Sequence, residues 1–424
     1  MADTNNAVDF SNERVTLGDN APRIATPALV VGALFIVLSL ALGIRGKATF
    51  ATFLRAYLVN YCFFLSLSLG AMFFVLIQHL TRAGWSVTVR RIAENFLATL
   101  PLMGVLALPI VVPMLLGVSA IHDLYEWTNA VLVRHDPVLS GKAVYLNVPF
   151  FTIRMIAYFA LWCWIGHYFY KSSVAQDQSG SAEATARMQR LSAPAMIVFA
   201  FTLTFAAFDL IMSLDPHWFS TIFGVYYYAG STLGFFCVLA IAMYLLQGAG
   251  LLSRTITTEH YHDVGKLAFA FTVFWAYIAY SQYMLIWYAS IPEEVPWFDV
   301  RQQQPWVAIS LVLLFGHFMI PFVALISRVP KRRPTALILG AIWLLLMHWF
   351  DLFWLVFPRA AHGEASESNI VAQGLATGEI VQCVLSLIGI GGLFVGVVIL
   401  RMRGAALVPQ RDPRLDESLA FENF

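Results

Sequence analysis

The run TALILGAIWLLLMHWFDLFWLVF, residues 335–357, decides the fold. Its only titratable side chains are His348 and Asp351, and almost everything around them is apolar or aromatic. A hydrocarbon layer about 30 Å thick takes about 20 such residues as a helix, because a helix satisfies its own backbone N–H and C=O groups. This run is therefore a membrane span. Working outward, runs of the same kind occupy residues 24–44, 52–80, 92–118, 148–170 and 192–214. Further along they occupy 222–247, 265–291, 306–327 and 380–400, which predicts ten transmembrane helices in an all-α integral membrane protein. Ten spans and their short connections use up the 424 residues and leave no room for a soluble catalytic domain. Composition agrees, at 59% hydrophobic, 12% charged and a mean hydropathy of +0.71. A net charge of +1 carries no electrostatic footprint for nucleic acid.

Residues 1–22 form a polar tail, and the apolar run after it lacks a small-residue cleavage signal, so it reads as a retained helix. Lys and Arg mark the cytoplasmic connections. With the amino terminus inside, Arg82, Arg90, Arg91, Lys171, Arg187, Arg190, Arg254, Lys266, the 328–333 cluster and the carboxy-terminal arginines all fall inside. The opposite connections are poor in such charge, with Arg301 alone after the seventh span. Both termini are thus expected in the cytoplasm. The opposite face gathers HDLYEWTN, LDPHWFST, SIPEEVPWF and FPRAAHGE, a mixture of acids, histidines and tryptophans. That mixture fits an aromatic interfacial belt, and equally a docking surface or a ligand mouth. Cys62, Cys163, Cys237 and Cys383 fall singly in four spans with no CxxC, so they read as core filler rather than a redox framework.

An internal repeat relates spans two to five to spans six to nine. SLGAMFF around Gly70 matches TLGFFCV around Gly234, and AIHDLYEW ending at Trp127 matches SIPEEVPW ending at Trp297. PFF at Pro149 matches PWV at Pro305, and AFDLIMSLDP matches WFDLFWLVFP, which superposes Asp209 on Asp351. An even number of helices per repeat makes the two four-helix bundles parallel. The expected organisation is a tail (1–22), a first helix with its loop (23–51), bundles at 52–221 and 222–358, a loop with the tenth helix (359–400), and a second tail (401–424). Spans one and ten flank the bundles.

An ionisable group in the hydrocarbon costs about 2.5–3.5 kcal/mol on insertion scales, so each should have a partner or a task. Asp209, Asp351 and Arg154 count to the outer third of the layer, His348 slightly deeper and His317 near the middle. Asp209, His317, His348 and Asp351 are the candidates for a proton relay. Each has a structural alternative: Arg154 and Asp209 as an ion pair, His348 and Asp351, three apart on one helical face, as a bonded pair, and His317 as a core histidine. At the outer face His122 or Asp123 could accept a quinol proton, and Trp127, Trp218 and Trp297 could cover an aromatic ring. Interfacial anchoring is the alternative for those tryptophans. His122, Asp123 and His217 have no metal-ligand spacing, and a buried haem would have to rely on His317 and His348.

Several of these motifs together resemble a known family. SLGAMFF, AGWSVTVRRIAE, HDLYEW, YLNVPFFTIR, SLDPHWFST and HDVGKLAFAFTVFWAYIAYSQYMLIWYASIPEEV are similar to the second NrfD-like (ActF-type) membrane subunit of bacterial alternative complex III, a quinol:electron-acceptor oxidoreductase. The resemblance runs from about residue 52 to 357. It implies ten helices in two four-helix bundles in the bacterial inner membrane. It also implies no cofactor bound covalently here and quinol oxidation on the companion NrfD-like subunit, with quinone or quinol as the candidate ligand of the His122, Asp123, Trp127 and Trp218 group read from the residues above. Haem c and iron–sulfur clusters are implied on partners: a companion NrfD-like subunit, a periplasmic iron–sulfur subunit and haem c subunits, with a terminal oxidase as a further candidate. The implied role is proton translocation and scaffold. A stand-alone secondary carrier or a purely structural anchor is the competing expectation.

Overall fold

The computed structural model describes residues 13–358 and 377–423, so FPRAAHGE from residue 359 onward, and most of the expected loop before the tenth helix, lie outside the described residues. Among the described residues, ten helices are long and apolar enough to cross a membrane. They are α1 (Asn20–Gly43), α2 (Lys47–Leu80), α3 (Val87–Leu115), α4 (Val148–Ser179), α5 (Ala182–Leu214), α6 (Phe223–Gly248), α7 (Thr258–Ala289), α8 (Trp306–Leu325), α9 (Pro334–Val356) and α10 (Thr377–Arg401). This is an all-α, multi-pass integral membrane protein.

Differences from the expected boundaries have physical causes. Helices α4 and α5 run well past their apolar portions and meet in a turn at Gly180, whose φ of +61° suits glycine as the stop after a helix. Hydropathy sees only the apolar length and passes over the polar continuation. Helix α3 is broken at Ala98–Thr99 and Leu106–Ala107, because Pro101 and Pro109 have no N–H to offer the preceding turn. The Tyr57 hydroxyl donates to the Leu106 carbonyl at 2.8 Å and satisfies the backbone at the second break.

Helices α2 to α5 close into one ring and α6 to α9 into another. The rings meet along α2 and α6, and α5 and α9 pack across the junction. The crossing is parallel, since Tyr227 donates to the Cys62 carbonyl at 2.8 Å and the Gly70 and Gly234 regions lie side by side. Gly70 permits the approach: a Cβ there would stand 2.3 Å from the Ser231 carbonyl oxygen. Without a hydrophobic force between helices in lipid, such small-residue contact is what holds them. Helices α1 and α10 pair with each other and together lie on α2. Gly32 packs into Gly389 and Gly392, and Ser39 donates to Gln382 at 2.6 Å.

Both ends of the described chain lie on one face, the tail face. Val15 accepts from the Leu407 amide at 2.7 Å, and Arg14 pairs with Leu251 in the α6–α7 connection. The opposite, loop face carries short helices at Ala130–His135, Pro137–Lys142 and Pro296–Gln302.

Candidate functional site

The two superposed aspartates are held in different ways. Asp209, at the loop-face end of α5, receives Arg154 Nε at 2.9 Å and Nη2 at 2.7 Å, a bidentate clamp, and the Tyr158 hydroxyl at 2.9 Å. The Arg154 guanidinium is covered by the rings of Tyr145 and Phe150, 3.9 and 4.3 Å from their centroids. This is a complete ion pair, with both charges buried and both hydrogen-bonded.

Asp351 has neutral partners. Its carboxylate accepts from the Tyr226 hydroxyl on α6 and, at 3.0 Å, from the Trp275 indole Nε1 on α7. It is buried, and no Lys or Arg pairs with it among the described residues. His348, one turn earlier, bonds through Nε2 to the Ser66 hydroxyl of α2 at 2.9 Å, so the two side chains do not bond to one another. Its Nδ1 faces Gly230, where a Cβ would approach to 3.0 Å, and has no hydrogen-bond partner among the described residues. The imidazole is seated because α6 carries glycine at that turn.

His317 joins the group through Trp275, ring centroids 3.8 Å apart, and neither of its nitrogens has a partner among the described residues. It sits in a π-helical stretch, Leu313–Met319. Pro321 cannot supply the wide turn's N–H to Gly316, and Trp343 Nε1 donates to that carbonyl at 2.7 Å instead. Widened turns of this kind recur at functional sites. The structure thus brings His317, His348 and Asp351 together at the centre of the second ring, and leaves Asp209 in the first.

At the loop face, Asp123 and Trp218 share a small pocket of about 40 Å³ with Glu126, Asp215, Trp297 and Arg301. Trp218 and Trp297 stack, centroids 4.3 Å apart and planes 10° from parallel. His122 is turned to Thr128 Oγ1 at 2.7 Å, and Trp127 packs on Tyr125 and Phe151, so neither lines this pocket. Asp123 also pairs with Lys47 at 3.5 Å.

Arg301 forms the floor. Its guanidinium donates to the Trp297, Trp354 and Leu355 carbonyls at 2.7, 3.3 and 3.1 Å and lies 3.4 Å from the Trp297 ring centroid. Burial pulls its pKa down to about 9, while Asp215 and Tyr226 act to raise it, and the group stays cationic at neutral pH. Arg301 also borders a second, larger cavity of about 640 Å³ between α7 and α8, whose inner wall is Tyr226 and Trp275. Sequence reasoning missed Tyr226 and Trp275 as site residues. Nothing separates them from the other aromatics, which make up 15% of the chain.

Among the described residues no three His, Cys, Asp or Glu side chains converge to hold a metal ion. No protein-family model matches the chain, and no curated protein matches it.

Proposed function

We propose that this chain is a proton-conducting membrane subunit of a quinol-oxidising respiratory complex, of the second NrfD-like kind in alternative complex III, seated in the bacterial inner membrane with its tail face in the cytoplasm. The single observation that carries the reading is Asp351. A buried carboxylate offset by two neutral donors can gain and lose one proton without breaking an ion pair, which the clamped Asp209 cannot do. His348 Nδ1 and both ring nitrogens of His317, without hydrogen-bond partners among the described residues, extend the proton-accepting set along α9 and α8. The loop-face pocket, with Asp123, Glu126 and Asp215 above Arg301, offers the exit toward the periplasm. In this reading Asp209 and Arg154 brace the first ring. The haem c and iron–sulfur partners dock on the acid- and tryptophan-rich loop face, next to the companion NrfD-like subunit.

Moving one charge across 100 mV takes about 2.3 kcal/mol, so loss of a central titrating group should be felt directly. The test is an assembled complex, purified from native membranes in mild detergent. The chain is expected to co-elute with haem-containing and iron–sulfur subunits, and Asp351→Asn is expected to lower proton release per electron while leaving co-elution intact. Unchanged proton release and turnover would reject the relay. Elution of the chain alone would reject the complex and favour a stand-alone carrier.

A further inference from the structure

We propose that the cavity between α7 and α8 is a lateral binding site for a neutral, lipid-soluble ring compound bearing carbonyl or hydroxyl oxygens, a quinone by chemical class, entering from the bilayer. This deepens the proposed function by placing a ligand in the second ring, away from the His122 group.

The cavity follows from the chain. Helix α8 starts only at Trp306, after residues 290–305 have crossed the loop face, and its contacts with α7 are concentrated in its second half. The first half of α8 splays away. Ala276 and Ala279 on α7 leave the gap open to the side, and its volume of about 640 Å³ lies within the roughly 300–1,000 Å³ usual for small-molecule sites. Its rim is lipid-facing, since Tyr280 and Leu311 on the two sides are 65% and 50% exposed.

The walls select a flat ring. Trp275, Tyr280, Tyr283, Phe298 and Trp354 line the space, and aromatic faces stack on aromatic rings. The polar groups select an uncharged head. Arg301 commits three N–H groups to backbone carbonyls, and a guanidinium has five, so donors remain for an oxygen acceptor at the loop-face end. Gln302 adds an amide beside Tyr283. A phosphate headgroup fits poorly, because among the described residues Arg301 is the one Lys or Arg lining the cavity, and burying an anion against one incompletely free cation is costly. At the inner wall, Tyr226 and Trp275 both donate to Asp351, so a ring held there lies one side chain from the proton-accepting carboxylate.

The probe is a short-chain benzoquinone with a photoactivatable azide, applied to the full chain in nanodiscs and to the purified complex, with diazirine-labelled phosphatidylethanolamine in parallel. Quinone cross-links are expected within residues 276–283 and 307–314, removed by excess untagged decyl-benzoquinone. Ala279→Trp, which fills the space, is expected to cut that labelling about tenfold or more. Competition in the unmodified protein keeps the test decisive should that variant fail to fold. Quinone labelling elsewhere, labelling that untagged quinone does not displace, undiminished labelling in a folded Ala279→Trp protein, or labelling of these segments by the phospholipid alone would overturn the site. Co-elution with redox subunits is read separately, so the site and the complex can fail independently.

Discussion

Asp209 and Asp351 occupy matched positions in the repeat, yet their neighbours assign them different chemistry. Removing the cation from Asp209 would leave a buried charge unpaired, a situation that costs about 3–5 kcal/mol. Arg154→Met is therefore expected to destabilise the protein by about that amount in detergent thermal unfolding. Arg154→Met combined with Asp209→Leu should recover most of the loss, because the pair then disappears together. A double variant as unstable as the single one would mean that Arg154 acts through something other than Asp209. The ion pair was legible in the sequence, since antiparallel neighbours at equal depth must meet. The hydrogen-bond donors to Asp351 were not, because a tyrosine and a tryptophan inside apolar helices look like any other filling.

At the scale of elements, hydropathy and length predict ten spans, but the features that shape the site lie below that signal. The π-helical stretch in α8, the splayed start of that helix and the polar extensions of α4 and α5 all arise from backbone accounting and tertiary contact. The loop-face helix Pro137–Lys142 shows how such a short element is kept. Asp136 caps it, accepting from the Val138 and Leu139 amides at 2.8 and 3.1 Å, and receives His217 Nε2 at 2.6 Å. Burial acts to raise the Asp136 pKa, but the hydrogen bonds from His217, Leu139 and Val138 outweigh it and hold the carboxyl below the usual carboxylate range. Its stabilising effect is accordingly present above that range and disappears as pH falls through the lowered value. Asp136→Ala is expected to cost about 1 kcal/mol near neutral pH and to flatten the acid limb of the unfolding profile. An acid limb identical to that of the parent would remove Asp136 from the account.

For the whole molecule, the carboxy-terminal tail is a fastener. Asp412 receives Arg90 at 2.5 Å, the Ala406 carbonyl receives Arg91 at 3.1 Å, and the Gln410 amide donates to Asp177 at 2.9 Å. Ser418 bonds to the Trp85 carbonyl at 2.6 Å, while Arg332 meets Glu259 beside Asn423. These contacts tie the tail to the α2–α3 turn and to α3, α4 and α7. Truncation after Arg403 is expected to leave the spans inserted but to speed amide exchange at residues 83–95 and 174–182 about tenfold or more, the equivalent of losing roughly 1.4 kcal/mol of local protection. Exchange unchanged at both sites would show that the tail merely lies on the surface.

The glycine-lined union of α1 with α10 bears on how the protein is made. Much of α1 faces outward, with Leu34 and Val37 61% and 63% exposed, and its chief mate, α10, is synthesised only after α2 to α9. At about 5–20 residues per second, α1 spends on the order of tens of seconds solvated by acyl chains before its mate leaves the ribosome. The pairing thus acts as a late latch, and a ribosome stalled ahead of α10 would leave in the bilayer a nascent polypeptide whose α1 rests on α2 alone.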